Sequence, residues 1–185
     1  MKYLLIPSLI IVASSISFYS TSYGQESLTF DRVIEVDSAS QLSLYKSAKA
    51  WFGEKYKSAN EVIQISDQDE GLIIARGSMS VYLTGIKYAC YTGRLSYKIK
   101  VQTKEGRFKV ELTTFDHTTK PGNSSSCSLG LITTSDECPM SSIGKKARNE
   151  AWNFIKEDCK KYANQIFKSI EDYTASEAEG EEDDW

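Results

Sequence analysis

Four cysteines, Cys90, Cys127, Cys138 and Cys159, are the residues of this 185-residue chain best suited to covalent or metal chemistry. Zinc would need thiolates at close spacing, but no Cys-x-x-Cys pair occurs, and the single histidine, His117, stands apart in sequence. No metal is therefore expected. An even cysteine count suits disulfides if the chain reaches an oxidising compartment, with three connectivities available. Cys127 and Cys138 lie eleven positions apart in one Ser/Gly-rich loop, and their proximity makes a local bridge the preferred pairing. The competing pairing joins Cys127 or Cys138 to Cys90 and clamps the loop to the sheet. Cys159 falls on the apolar stripe of the last helix and Cys90 opens a strand, so these two either pair or stay as buried thiols.

His117 as a general base would need a positioned partner and a nucleophile. Its neighbour Asp116 points the other way along a strand, so His117 is read as a surface residue. There is no Gly-x-Gly-x-x-Gly, no phosphate loop ending Gly-Lys-Ser/Thr and no His-Glu-x-x-His, and no cofactor or catalytic residue is expected. Asp67, Asp69 and Glu70 crowd one turn that is too short for a dedicated calcium loop. Tyr82, Tyr88 and Tyr91 cluster around Cys90 beside Lys87 and Arg94. They could bind a sugar or a partner loop, but packing beneath that loop is the plainer reading. Lys98, Lys100, Arg107 and Lys109 alternate with apolar residues, which places them on an open sheet face as binding candidates, together with Ser96, Gln102 and Thr113.

The elements that must position these groups follow from pattern. Leu28 to Val36 reads as a first strand. Ser38-x-x-Gln41 fits a capping box, and Leu44, Tyr45, Ala48, Trp51, Phe52 and Tyr56 then form a helical apolar stripe. A strand at Val62 to Ile65 turns through Asp67–Gly71 into a return strand from Leu72 to Tyr82, followed by a loop at 84–89. Leu95, Tyr97, Ile99 and Val101 alternate with polar residues, as do Phe108, Val110 and Leu112 after the turn Lys104-Glu105-Gly106. Phe115 breaks that phase, which predicts a bulge or a position on the open face. Residues 118–140 form a cysteine-bearing loop with a short strand near Leu129 to Ile132. From Lys145 to Tyr173, Trp152, Ile155, Cys159, Tyr162, Ile166, Ile170 and Tyr173 step by three or four in a long helix.

The order β-α-β-β-β-β-α predicts an α+β two-layer sandwich, a mainly antiparallel sheet with two helices on one face. Composition agrees: 41% of residues are apolar and 25% charged, as in an ordinary globular chain able to bury a core. Residues 1–24 read as a signal peptide, with Lys2, an apolar run and small residues before Gln25. That predicts an exported protein, periplasmic or secreted, with no transmembrane span after cleavage and one domain over 25–175. The formal charge is −3, but Glu177, Glu179, Glu181, Glu182, Asp183 and Asp184 concentrate acidity in residues 176–185. This segment is expected to be a disordered tail, which leaves a slightly basic body.

The element order is similar to half of the TATA-binding-protein-like fold. More closely, the chain resembles an exported family of Bacteroidetes bacteria, a domain of unknown function with TBP-like fold. The resemblance rests on Phe30-Asp31-Arg32-Val33, Leu44-Tyr45 with Trp51, Ala59-Asn60-Glu61-Val62-Ile63, Gly71-Leu72-Ile73, Gly77, Tyr97-Lys98-Ile99 and Lys104-Glu105-Gly106-Arg107-Phe108. It covers roughly Leu28 to Phe115, implies fold and export, and transfers no site residues.

The functional expectation is a non-catalytic binding module of the cell envelope, partnered by an envelope protein or glycan. An enzyme acting on envelope polymers is the alternative. Nucleic acid is not an expected partner, because fold does not carry function and the body is only weakly basic.

Overall fold

The computed structural model describes residues 26–122, 124, 127–140 and 144–180. The signal-peptide expectation and residues 181–185 of the acidic tail lie outside them. The element order is β1 (Phe30–Glu35), α1 (Gln41–Lys55), α2 (Ala59–Val62), β2 (Ile63–Asp67), β3 (Leu72–Val81), a 3₁₀ turn (Ile86–Tyr91), β4 (Gly93–Lys104), β5 (Arg107–Thr119), β6 (Gly130–Leu131) and α3 (Lys145–Gly180). The strands form one sheet in the order β1-β5-β4-β3-β2, with β6 added to β5, and every pairing is antiparallel. The helices pack on one face, so the architecture is the expected α+β two-layer sandwich.

The core lies between that face and helices α1 and α3. Alternation in β4 and β5 sends Leu95, Tyr97, Ile99, Val101, Phe108, Val110 and Leu112 inward. They meet Leu44, Ala48, Trp51 and Phe52 of α1 and Trp152, Ile155, Ile166 and Ile170 of α3, all buried. Trp51 is 2% exposed, and its indole N–H donates to Ser169 Oγ at 3.1 Å, which ties the two helices together. Burying an aromatic of this size stabilises the fold by about 1.5–3 kcal/mol. Tyr97 crosses the sheet over Gly77, its register partner, where an added Cβ would lie 2.3 Å from the ring. Only glycine leaves room for that ring. The Tyr97 hydroxyl bonds those of Tyr56 at 3.0 Å and Tyr162 at 2.7 Å, so its polar tip is satisfied within the core.

The structure departs from the sequence reading in several places. The cap of α1 is Ser40, not Ser38: Ser40 Oγ accepts from the Ser43 N–H at 3.1 Å, while Ser38 adopts φ 63° in the preceding turn. Helix α2 occupies Ala59–Val62, where the strand was expected to begin. The segment read as a loop at 84–89 carries the 3₁₀ turn, and Cys90 sits in this turn rather than opening β4. Phe115 is buried next to a bulge. Ser96 pairs with Asp116 and Lys98 with Thr113, so Thr114 and Phe115 together face Tyr97, and Thr114 takes φ 55°. Helix α3 continues to Gly180, past Tyr173 and into the acidic segment. Its 36 residues span about 54 Å.

Candidate functional site

The sheet face away from the helices is built by the alternate residues of the strands that fill the core. On β4 these are Arg94, Ser96, Lys98, Lys100 and Gln102, and on β3 they are Leu72, Ile74, Arg76, Ser78 and Ser80. Register sets Arg76 directly opposite Lys98, Ile74 opposite Lys100 and Ser80 opposite Arg94. Like charges facing one another across a strand pair repel, so the Arg76–Lys98 pairing disfavours folding. None of Arg76, Arg94, Lys98 and Lys100 makes an ion pair among the described residues. Residues two apart on a strand stand about 7 Å apart, so these four cations line roughly 20 Å of the face.

The other expected binding residues fall on the same face but in a different electrostatic setting. Lys109 Nζ lies 2.9 Å from Asp31 Oδ2, and that carboxylate raises the lysine's proton affinity. Arg107 stands opposite Glu35 and Lys104 at the β4–β5 turn. With Val33, Gln102, Lys104, Phe108 and Lys109 it lines a shallow cavity of about 240 Å³. On this face β3 contributes Arg76 as its one charged residue and β4 contributes Arg94, Lys98 and Lys100, with Lys100 opposite Glu111 of β5, while β5 and β1 are mixed, with Asp31, Glu35 and Glu111. Sequence reasoning missed Arg76. The alternation of Ile73, Ala75 and Gly77 would have placed it, had the glycine been counted as an inward position.

The cysteines are arranged differently from the preferred expectation. Cys90 is bonded to Cys127, with Cα atoms 5.8 Å apart, and Cys138 and Cys159 are free and buried. The local Cys127–Cys138 bridge is therefore corrected to one that clamps the loop to the 3₁₀ turn. Cys138 instead packs at the start of α3, where its backbone N–H donates to Asn149 Oδ1 at 3.1 Å. Burial pushes the Cys159 thiol up to about 12, which leaves it a protonated, inert core group.

His117 is not on the surface but fully buried, at 0% exposure. The Leu129 N–H donates to His117 Nδ1 at 3.2 Å, so Nε2 carries the proton and donates to the Tyr91 carbonyl at 2.9 Å. Burial lowers its pKa below the ordinary value of about 6.5. The imidazole is a neutral tie between β5, the 3₁₀ turn and the segment entering β6. Among the described residues no group of three or more His, Cys, Asp or Glu side chains could hold a metal ion. Of the three tyrosines near Cys90, Tyr88 and Tyr91 are buried and Tyr82 is exposed.

Comparison with known proteins agrees with this architecture. Residues 30–118 match a family model described as a domain of unknown function (DUF4468) with TBP-like fold. A TBP-like protein from Parabacteroides distasonis ATCC 8503 has a similar structure, with a TM-score of 0.56 and 13% identity over 80% of this chain and 93% of that one. A DUF4468 family protein from Bacteroides ovatus ATCC 8483 aligns with a TM-score of 0.48 and 16% identity, over 80% of this chain and 86% of that one. A search of the curated proteins finds no match. Over residues 30–118 the chain matches the DUF4468 family, and its fold is TBP-like.

Proposed function

We propose that the protein is an exported, non-catalytic binding module of the bacterial cell envelope, and that its open sheet face holds a carboxylate-rich partner. The observation that carries this reading is the basic row of Arg76, Arg94, Lys98 and Lys100. A sheet face that needed only solubility would alternate its charges. This one keeps an Arg76–Lys98 repulsion in its centre, which an anionic ligand would relieve. Export is supported by the apolar, small-residue amino terminus and by the Cys90–Cys127 disulfide, which suits an oxidising compartment.

Titration calorimetry with polyglutamate and with a polyuronate glycan tests the reading and separates a protein-like from a glycan-like partner. At least one probe should bind, with affinity falling as salt rises. Arg76→Ala and Lys98→Ala should each weaken binding by roughly three- to tenfold, since charge-assisted contacts contribute about 1 kcal/mol or more. Binding that ignores both substitutions would place the partner elsewhere.

A further inference from the structure

The segment between β3 and β4 contains a cleft that the basic face does not explain. Tyr82, Leu83, Thr84 and Tyr88 line it from one side and Phe154 and Asp158 of α3 from the other, around a space of about 160 Å³. Tyr82 is 68% exposed and Phe154 52%, while the Tyr88 ring meets Phe154 edge-on at 5.6 Å. The walls are held in place several times over. The disulfide fixes Cys90, Lys87 Nζ lies 2.9 Å from Glu150 Oε2, and the Tyr88 hydroxyl donates to that same carboxylate. Yet the turn so firmly pinned presents Ile86 at 99% exposure, so core packing alone does not account for the fastening. A fixed cleft loses little entropy when it binds.

We propose that this cleft binds a neutral pyranose unit of a glycan. A pyranose ring has C–H faces and a hydroxyl edge. The Tyr82 and Phe154 rings suit the faces, and the Asp158 carboxylate and Thr84 hydroxyl suit the edge. The surrounding charge selects against other ligands. Lys87 lies 4.6 Å from the Tyr88 ring centroid and Lys120 5.1 Å from that of Tyr82, which disfavours a cation over those rings. Glu150 is already matched by Lys87 and Asp158 by Lys161, so the cleft lining offers no free positive charge to hold an anion. A purely apolar peptide side chain would strip water from the Thr84 hydroxyl and from Asp158, whose only ion-pair partner among the described residues is Lys161 at 3.9 Å, which is costly. A ligand both neutral and rich in hydroxyl donors meets all three conditions. This site is separate from the sheet face and differs from it in chemistry.

Saturation-transfer NMR of the purified protein with cellobiose, mannobiose and the β-1,4 disaccharide of N-acetylglucosamine tests this. At least one disaccharide should receive saturation, concentrated on the ring C–H protons. Tyr82→Ala and Phe154→Ala should each weaken binding by roughly tenfold, equivalent to about 1.4 kcal/mol. Asp158→Asn should weaken it severalfold, whereas Lys98→Ala and added salt should have no effect, in contrast to binding at the sheet face. Tyr82 is mostly exposed, so its variant should keep the parent melting temperature and remain a fair probe. Lack of transfer to all three disaccharides would overturn the proposal. So would transfer unchanged in Tyr82→Ala.

Discussion

Two buried residues show how differently single positions carry this fold. Trp51 fills the junction of α1, α3 and the sheet, and Trp51→Ala should destabilise the protein by about 3–5 kcal/mol, read as a lowered unfolding midpoint in denaturant. An unshifted midpoint would contradict its burial. His117 acts through its protonation state. Its folded pKa lies below the unfolded value of about 6.5, so the unfolded chain takes up the proton more readily. Its contribution is complete above that value and is lost as pH falls below it towards the lower folded pKa. Melting temperature should therefore decline with acidification below about pH 6.5, and His117→Gln should flatten that part of the profile while lowering stability at neutral pH. The sequence pattern contained the clue to this histidine. Phe108, Val110 and Leu112 set an inward phase, the bulge at Thr114 shifts it by one, and Phe115 and His117 follow inward together. The phase break was visible at Phe115, but carrying it two residues further requires knowing that the strand continues.

At the scale of elements, what could be read from sequence was what repeats. The period of two in β4 and β5 and the three-and-four spacing in α1 and α3 identify the layers, because burial of one face imposes those periods directly. Features fixed by a single contact were not legible. Ser38 and Ser40 both precede α1, and only the backbone path selects Ser40 as the cap. The cysteines show the same limit. Separation along the chain favoured Cys127 with Cys138, but β6 and the segment before it fold back along β5, which carries Cys127 to the 3₁₀ turn. Non-reducing peptide mapping should recover a Cys90–Cys127 cross-link, with Cys138 and Cys159 alkylated only after unfolding. The bridge closes a separation of 37 residues, so its reduction should cost up to about 4 kcal/mol, seen as a lower melting temperature in reductant. A cross-link from Cys127 to Cys138, or an unchanged melt on reduction, would refute this clamp. Arg76 belongs to the same lesson. A basic residue beside a glycine says little by itself, and only the β3–β4 register places it against Lys98.

Across the whole molecule, charge is divided between a basic sheet face and an acidic carboxy terminus. Thr174 is buried and its hydroxyl bonds back to the Ile170 carbonyl at 3.0 Å, whereas Ala175 and Ser176 are exposed. A chain ending at Ala175 shortens α3 by its last five residues and loses the Ser176 hydroxyl's bond to the Tyr173 carbonyl, but removes no described buried side chain. It should keep nearly the parent circular dichroism and melt within about 4 °C of it, a cost of about 1 kcal/mol or less. The same truncation removes six of the chain's 25 acidic residues and turns its formal charge from −3 to positive. The acidic segment opposes long-range attraction between an anionic partner and the Arg76–Lys98 row. The shortened chain should therefore bind polyglutamate severalfold more tightly than the full chain at low ionic strength. At 1 M salt, where the Debye length is only about 3 Å, the two affinities should converge. A persistent difference at high salt would mean that the acidic segment occupies the basic row by direct contact. A larger drop in melting temperature would mean that residues beyond Ala175 pack on the body. If neither is seen, the acidic end acts as an electrostatic counterweight, limiting the strength with which the basic face attracts anions while contributing little to the fold.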